Sequence, residues 1–206
     1  MRRLALAVLV ALFGMGVAVP SAGATPAKKL DDQLGAMWST ILRTPASQNP
    51  FNPDASNPVS TCWDLGGIVA PFGPTPDGAH ACTVKTGTKI FVAARAVECS
   101  KWELDPGKTN LLACAKDMEA KQPAIRAVTL DRRPISLTRV TTKVLTVTLP
   151  ADNVFGAKPD DLTGHYQAIG DVAGLNPLTP GTHTIRIVQA DPNPTITTVI
   201  TVKPGR

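Results

Sequence analysis

The sequence predicts a mainly β chain: an antiparallel β-sandwich, Ig-like or jelly-roll-like, with one or two short peripheral helices. The run "TTKVLTVTLP" alternates Val144, Thr146 and Thr148 against Leu145, Val147 and Leu149, the period-two pattern of a strand with one apolar face. Two later runs, "GTHTIRIVQA" and "TITTVITVK", flank a hairpin-like "DPNP". Short strands of this kind, parted regularly by Pro and Gly turns, are the habit of a sandwich rather than of a helical bundle.

The chain opens with Arg2 and Arg3, an apolar run from Leu4 to Val19, and the small residues Ala22-Gly23-Ala24. This order is that of a secretory signal peptide spanning 1–24. The apolar run is shorter than the roughly 20 residues a spanning helix needs, and Pro20 and Ser21 end it, so no stable membrane insertion is expected. Residues 25–206 then form the mature chain, read as a single β-sandwich domain that is secreted and extracellular.

Next comes "QLGAMWSTILRT", in which Leu34, Met37, Trp38 and Ile41 or Leu42 fall at helical spacing, with Asp31 and Asp32 placed to serve the helix N-terminus. A helix and loop over about 30–61 is therefore expected to pack on the sandwich through this stripe, with Trp38 in the core. The loop holds Asn-Pro steps at 49, 52 and 57, which hold the residue before each proline extended or in a turn. Beyond Cys62, the segments "GIVAPF", "HACTV" and "TKIFVAARAVE" read as strands, the last with Ile90, Val92 and Ala94 on one face. A helix at "NLLACAKDMEAKQ" would put Leu111, Cys114 and Met118 together, before strand returns at "AIRAVTLDRRPISLTRV" with a turn at Asp131 to Arg133.

Cys62, Cys82, Cys99 and Cys114 are separated by 19, 16 and 14 residues and lack the close pairs that zinc sites use. In an exported chain such cysteines oxidise, and of the three possible pairings the sequential one, Cys62 with Cys82 and Cys99 with Cys114, is favoured because it closes two short loops. The formal charge of +5 falls to +3 once Arg2 and Arg3 are removed, and the basic residues are scattered, which argues against nucleic acid as a partner.

Catalytic patterns are missing from the sequence. It has no Gly-x-Ser-x-Gly, no His-Glu-x-x-His and no phosphate-cradling glycine loop. His80, His165 and His183 lie in separate segments, and Asp160-Asp161 supply too few oxygens for a calcium site, so neither a metal nor another cofactor is expected. His183 falls on the same strand face as Ile185 and Ile187, where it caps the core and donates to a nearby carbonyl. Trp63 and Trp102 stand beside or near half-cystines, where an indole shields a disulfide or offers a flat face for a sugar ring. They are the candidate stacking residues.

Trp38, Asn49-Pro50, Cys62, the strand from Gly66-Gly67 to Phe72, "CTVKTGTKIFVA", "TLDRRPIS", "TLPADNVFG" and "LTPGTHTI" together resemble a group of uncharacterised secreted bacterial proteins built on one disulfide-containing β-sandwich. The resemblance runs from about Trp38 to Val202 and implies fold and export, with no activity attached. One element departs from the pattern: "GDVAGLNPL" lacks the aromatic residue that the group places before "Leu-x-Pro-Gly". The function expected is thus a secreted, non-catalytic protein that binds an extracellular glycan, cell-wall component or protein. The alternative is a secreted hydrolase whose site is assembled only in three dimensions.

Overall fold

The structure is a computed structural model that describes residues 27–74, 79–190, 192 and 195–205. The expected signal peptide lies outside the described residues. Helix α1 (Ala27–Leu42) precedes strands β1 (Cys62–Asp64), β2 (Ile68–Pro71), β3 (Ala79–Lys85) and β4 (Lys89–Ser100). Helix α2 (Leu111–Ala120) follows, then β5 (Ile125–Leu130), β6 (Arg133–Pro134), β7 (Thr138–Thr141) and β8 (Leu145–Thr148). After a 3-10 turn at Pro159–Asp161 come β9 (Thr163–Leu175), β10 (Gly181–Gln189) and β11 (Ile196–Lys203).

Two sheets stack face to face. The first runs β1-β2-β4-β9-β7, with β8 also on β9; the second runs β3-β11-β10-β5-β6. The sandwich is as expected, but its sheets are mixed rather than antiparallel: β2 pairs parallel to β4, and β3 parallel to β11. Connectivity explains the difference. The chain leaves the first sheet after β2, runs through β3 in the second, and returns as β4 in the direction of β2. No hairpin separates β3 from β11, so nothing in the local sequence imposes an antiparallel register on them.

Strands β4 and β9 are central and buried on both faces. Ile90, Val92 and Ala94 point between the sheets at Val84, Val128, Ile185, Ile187, Ile200 and Val202. Phe91, Ala93 and Ala96 point the other way, into a core closed by Leu30, Leu34, Met37, Trp38 and Ile41 of α1. Further along, Val97 and Cys99 meet Leu111 and Ala115 of α2, which covers the part of β4 that the second sheet does not reach. Burial on two faces is why β4 reads as a nearly unbroken apolar run, and each large side chain so buried contributes about 1.5–3 kcal/mol.

Helix α1 starts earlier than the aspartates suggest. Asp31 and Asp32 sit inside it, because Ala27-Lys28-Lys29 favours helix and Leu30 continues the apolar stripe one turn before Leu34. Gly35 lets the helix settle on the sheet: a Cβ there would stand 2.5 Å from Leu145 Cδ1. The Tyr166 hydroxyl donates to the Gly35 carbonyl at 2.7 Å, and burial pushes that phenol up to about 12. Asn49, 1% exposed, fixes the loop that follows, donating to the Ile41 carbonyl at 2.8 Å and accepting from the Phe51 amide at 2.9 Å.

Both disulfides form in the sequential pairing. Cys62–Cys82 joins β1 in the first sheet to β3 in the second, and Cys99–Cys114 joins β4 to α2. Among the described residues no cysteine is free and no helix is long and apolar enough to cross a membrane.

Candidate functional site: a cleft on the edge of β4

The two central strands are not paired alike. Strand β9 accompanies β4 from Ile90 to Ser100, whereas the ladder with β2 covers only Lys89 and Ile90. Where β2 ends, β4 bulges between Ala93 and Arg95. Beyond the bulge, from Ala94 to Glu98, no strand among the described residues pairs with the edge that faced β2. Alternate residues of a strand direct N–H and C=O to one side, so this edge presents backbone donors and acceptors without a ladder.

The open edge is the floor of a cleft of about 550 Å³. One wall is aromatic: Trp38, Phe51 and Phe72 form a triangle with ring centroids 5.5–5.8 Å apart, and Phe155 stands beyond them. The other wall mixes Met118 and Gln122 from α2 and its end with Gln189 and Ile196 from the second sheet. An apolar cleft with a few fixed polar groups is the usual form of a binding site.

Those polar groups are unusual. Glu98, on β4 and 5% exposed, and Glu103 both line the cleft. Burial pushes the Glu98 carboxyl well above the usual range, and the charge of Glu103 pushes it the same way. Glu103 is held in turn by Ser100, whose amide and hydroxyl both donate to its Oε2 at 2.8 Å. Among the described residues, Glu98 Oε2 has no hydrogen-bond partner, and neither does the buried indole N–H of Trp38 in the adjoining wall. Buried polar atoms are normally satisfied, so two orphans at one cleft stand out.

Arg95, which also lines the cleft, belongs to a four-charge cluster. Its Nη2 donates to Asp171 Oδ2 at 2.7 Å and its Nε lies 3.5 Å from Glu119 Oε1. Arg139 forms a two-pronged pair with the same Glu119. The cluster binds α2 to β4, β7 and β9, and its charges answer one another.

The residues singled out in the sequence lie elsewhere. Trp63 is 4% exposed and its indole N–H donates to the Phe72 carbonyl, so it offers no face to a sugar ring. Packing of the β1–β2 hairpin against the aromatic core draws it inward. Trp102 is half-buried, stacked on Phe155 at 5.5 Å with Lys101 over its ring, and its N–H donates to the Asp161 carbonyl. Asp161 ion-pairs with Lys101. His183 bonds Asp131 at 2.7 Å and the Thr179 carbonyl at 2.9 Å; His80 bonds Thr61 and His165 bonds Thr146. The three histidines stay apart, and no cluster among the described residues could hold a metal ion. Glu98 and Glu103 were missed. Their signal was in plain view, since Arg95 and Glu98 are charges within an otherwise apolar strand.

No family model matches this chain, and no curated protein does. Among solved structures it is similar to amebosin in solution, at 12% identity over 66% of this chain and 96% of that one, with a TM-score of 0.22. It is also similar to the cysteine protease inhibitor EhICP2 from Entamoeba histolytica, at 12% identity over 66% and 94%, with a TM-score of 0.25. At such scores neither neighbour carries an argument about this chain.

Proposed function

We propose that this chain is a non-catalytic binding protein working outside the cell, and that it takes an extended segment of a protein partner into the β4 cleft as an added strand. The observation that carries this is the unladdered edge from Ala94 to Glu98 at the floor of an aromatic-walled cleft. A peptide backbone supplies the complementary row of donors and acceptors, and its alternate side chains fit pockets on either side. A glycan has no such row, and Trp63, one of the two candidate stacking indoles, is buried. The leader-like N-terminus and the two disulfides support a place outside the cell.

The hydrolase alternative rests on the Glu98–Glu103 pair, the two paired carboxyls found in the cleft. A dyad that activates water must hold both carboxyls open to it. Here Glu98 is buried, and Ser100 occupies one oxygen of Glu103. Binding is the better account.

The test is selection from a phage-displayed library of random peptides of about seven residues, the length of one strand. Retained peptides are expected to slow amide exchange in Ala94–Glu98 and to be recovered uncleaved. Protection confined to another surface would reject the cleft, and peptide fragments in the eluate would favour the hydrolase.

A further inference from the structure

We infer that Glu98 and Glu103 form a cation-recognising subsite in the β4 cleft, receiving a lysine or arginine side chain of the bound segment. The inference rests on the proposed binding of an extended peptide there and names what that peptide must carry.

A buried carboxyl is costly unless its oxygens are bonded, and Glu98 leaves Oε2 with nothing. Among the described residues no lysine or arginine makes an ion pair with either glutamate, and Arg95, which lines the same cleft, is engaged by Asp171 and Glu119. Among the described residues, Glu98 Oε2 therefore lacks a donor and the pair lacks a counter-charge. An ammonium brings three donors and a guanidinium five, with the positive charge needed to stabilise carboxylate in a dry site. Edge protection is the competing explanation, because an inward-facing charge on an open strand deters accidental pairing. That role is met by one glutamate in contact with water. It does not call for a second carboxyl in the same cleft, positioned by Ser100.

A second observation is independent of the acids. The Trp38 indole N–H, in a residue 8% exposed, also lacks an acceptor. A peptide laid along β4 supplies carbonyl oxygens to that wall, so both orphans are relieved by one kind of occupant. A small inorganic cation would answer Glu98 and leave Trp38 unbonded.

The same peptide library, panned against the parent, Glu98→Gln and Glu103→Gln, tests this. The parent is expected to retain peptides sharing a lysine or arginine at one position. Changing that residue to norleucine, or changing Glu98 to Gln, should weaken binding roughly 10- to 100-fold, the worth of a charge-assisted hydrogen bond. Glu103→Gln should weaken it less, and thermal melts of both variants check that the fold is kept. Peptides that protect Ala94–Glu98 from exchange but carry no shared basic residue would overturn the subsite and leave the cleft standing. Protection absent from those amides with every peptide would overturn both.

Discussion

The Arg139 guanidinium grips the Glu119 carboxylate with two nitrogens, Nη1 to Oε1 and Nη2 to Oε2, and so ties α2 to the edge strand β7. Glu119 is 8% exposed, on a helix that a disulfide already fastens to β4. Arg95 and Asp171 complete the cluster, so removing one acid leaves two arginines answered by a single carboxylate.

Glu119→Ala should therefore cost about 2 kcal/mol, less than a fully buried pair because the Arg139 side chain remains partly open to water. Arg139→Lys should cost about half as much, since lysine keeps the charge but loses the fork. Urea unfolding of both variants checks the order. An undisturbed midpoint for Glu119→Ala would mean that the helix is held by its disulfide and apolar contacts alone.

Non-reducing peptide mapping should recover Cys62 linked to Cys82 and Cys99 linked to Cys114, with no alkylatable thiol in the denatured chain. Removing the second bridge as Cys99→Ser with Cys114→Ser should destabilise by about 3 kcal/mol, on the entropy of a loop near 15 residues. A Cys62–Cys99 peptide would contradict the structure.

Trp38→Ala should cost about 3–5 kcal/mol, because it opens a cavity among Phe51, Phe72 and the β4 face. Deleting residues 25–44 removes the whole cover of that core, and the remaining chain should show no cooperative melt. A melting temperature unchanged by the deletion would show that α1 is an appendage.

The hydrogen bond from His183 to Asp131 raises the histidine above its usual range, against the opposing effect of burial. Burial works to raise Asp131, but the bonds from His183 and the Thr184 amide prevail and lower it. A histidine with a raised folded value adds stability that is fully present below its unfolded value near 6.5 and is lost as pH rises through the folded one. The parent should lose stability over that window relative to Asp131→Asn. His183→Gln should be modestly destabilising, and His183→Asp worse, because it sets a carboxylate against Asp131. Thermal melts from pH 5 to 9 follow the effect.

Glu98 shifts stability in the same direction, through burial rather than through a partner. Its folded value lies well above its unfolded one, so the fold loses stability as pH climbs from the unfolded value toward the folded one. The groups that face it, Glu103 and the Tyr166 phenol, add no positive charge to offset this; Arg43 acts on Tyr166 from the end of α1. Glu98→Gln should thus raise the melting temperature at pH 7, with the gain shrinking toward pH 4. A variant more stable and yet poorer in binding separates a working acid from a structural one.

The elements visible in the sequence were those whose neighbours do not alter their pattern. β8 shows its alternation because one face meets α1 and the core while Thr146 and Thr148 face water. The helix at Leu111 was legible from the spacing of Leu111, Cys114 and Met118, and the Asn110 side chain caps it. β1 was overlooked, being three residues long and paired, among the described residues, only with β2 across Gly66-Gly67. His183 was placed on the correct face, but its partner Asp131 is 52 residues away, beyond any local pattern. The cleft was invisible for the same reason. It exists because β2 stops while β4 continues, and a difference in strand length between two elements becomes a site only when they lie side by side.

The parallel pairing of β3 with β11 governs the order in which the molecule can be completed. β3 stands at the margin of its sheet and, among the described residues, has β11 as its one ladder partner, so an early strand waits for a late one. Contacts so distant along the chain close late, because the entropy of the intervening loop must be overcome first. The first sheet and α1 can assemble from what precedes Leu175, whereas the second sheet gains its outer strand only after the C-terminal residues arrive. Until then Cys82 has no sheet to position it opposite Cys62, which makes that bridge the natural late step of oxidative maturation and its appearance a clock for the finished fold.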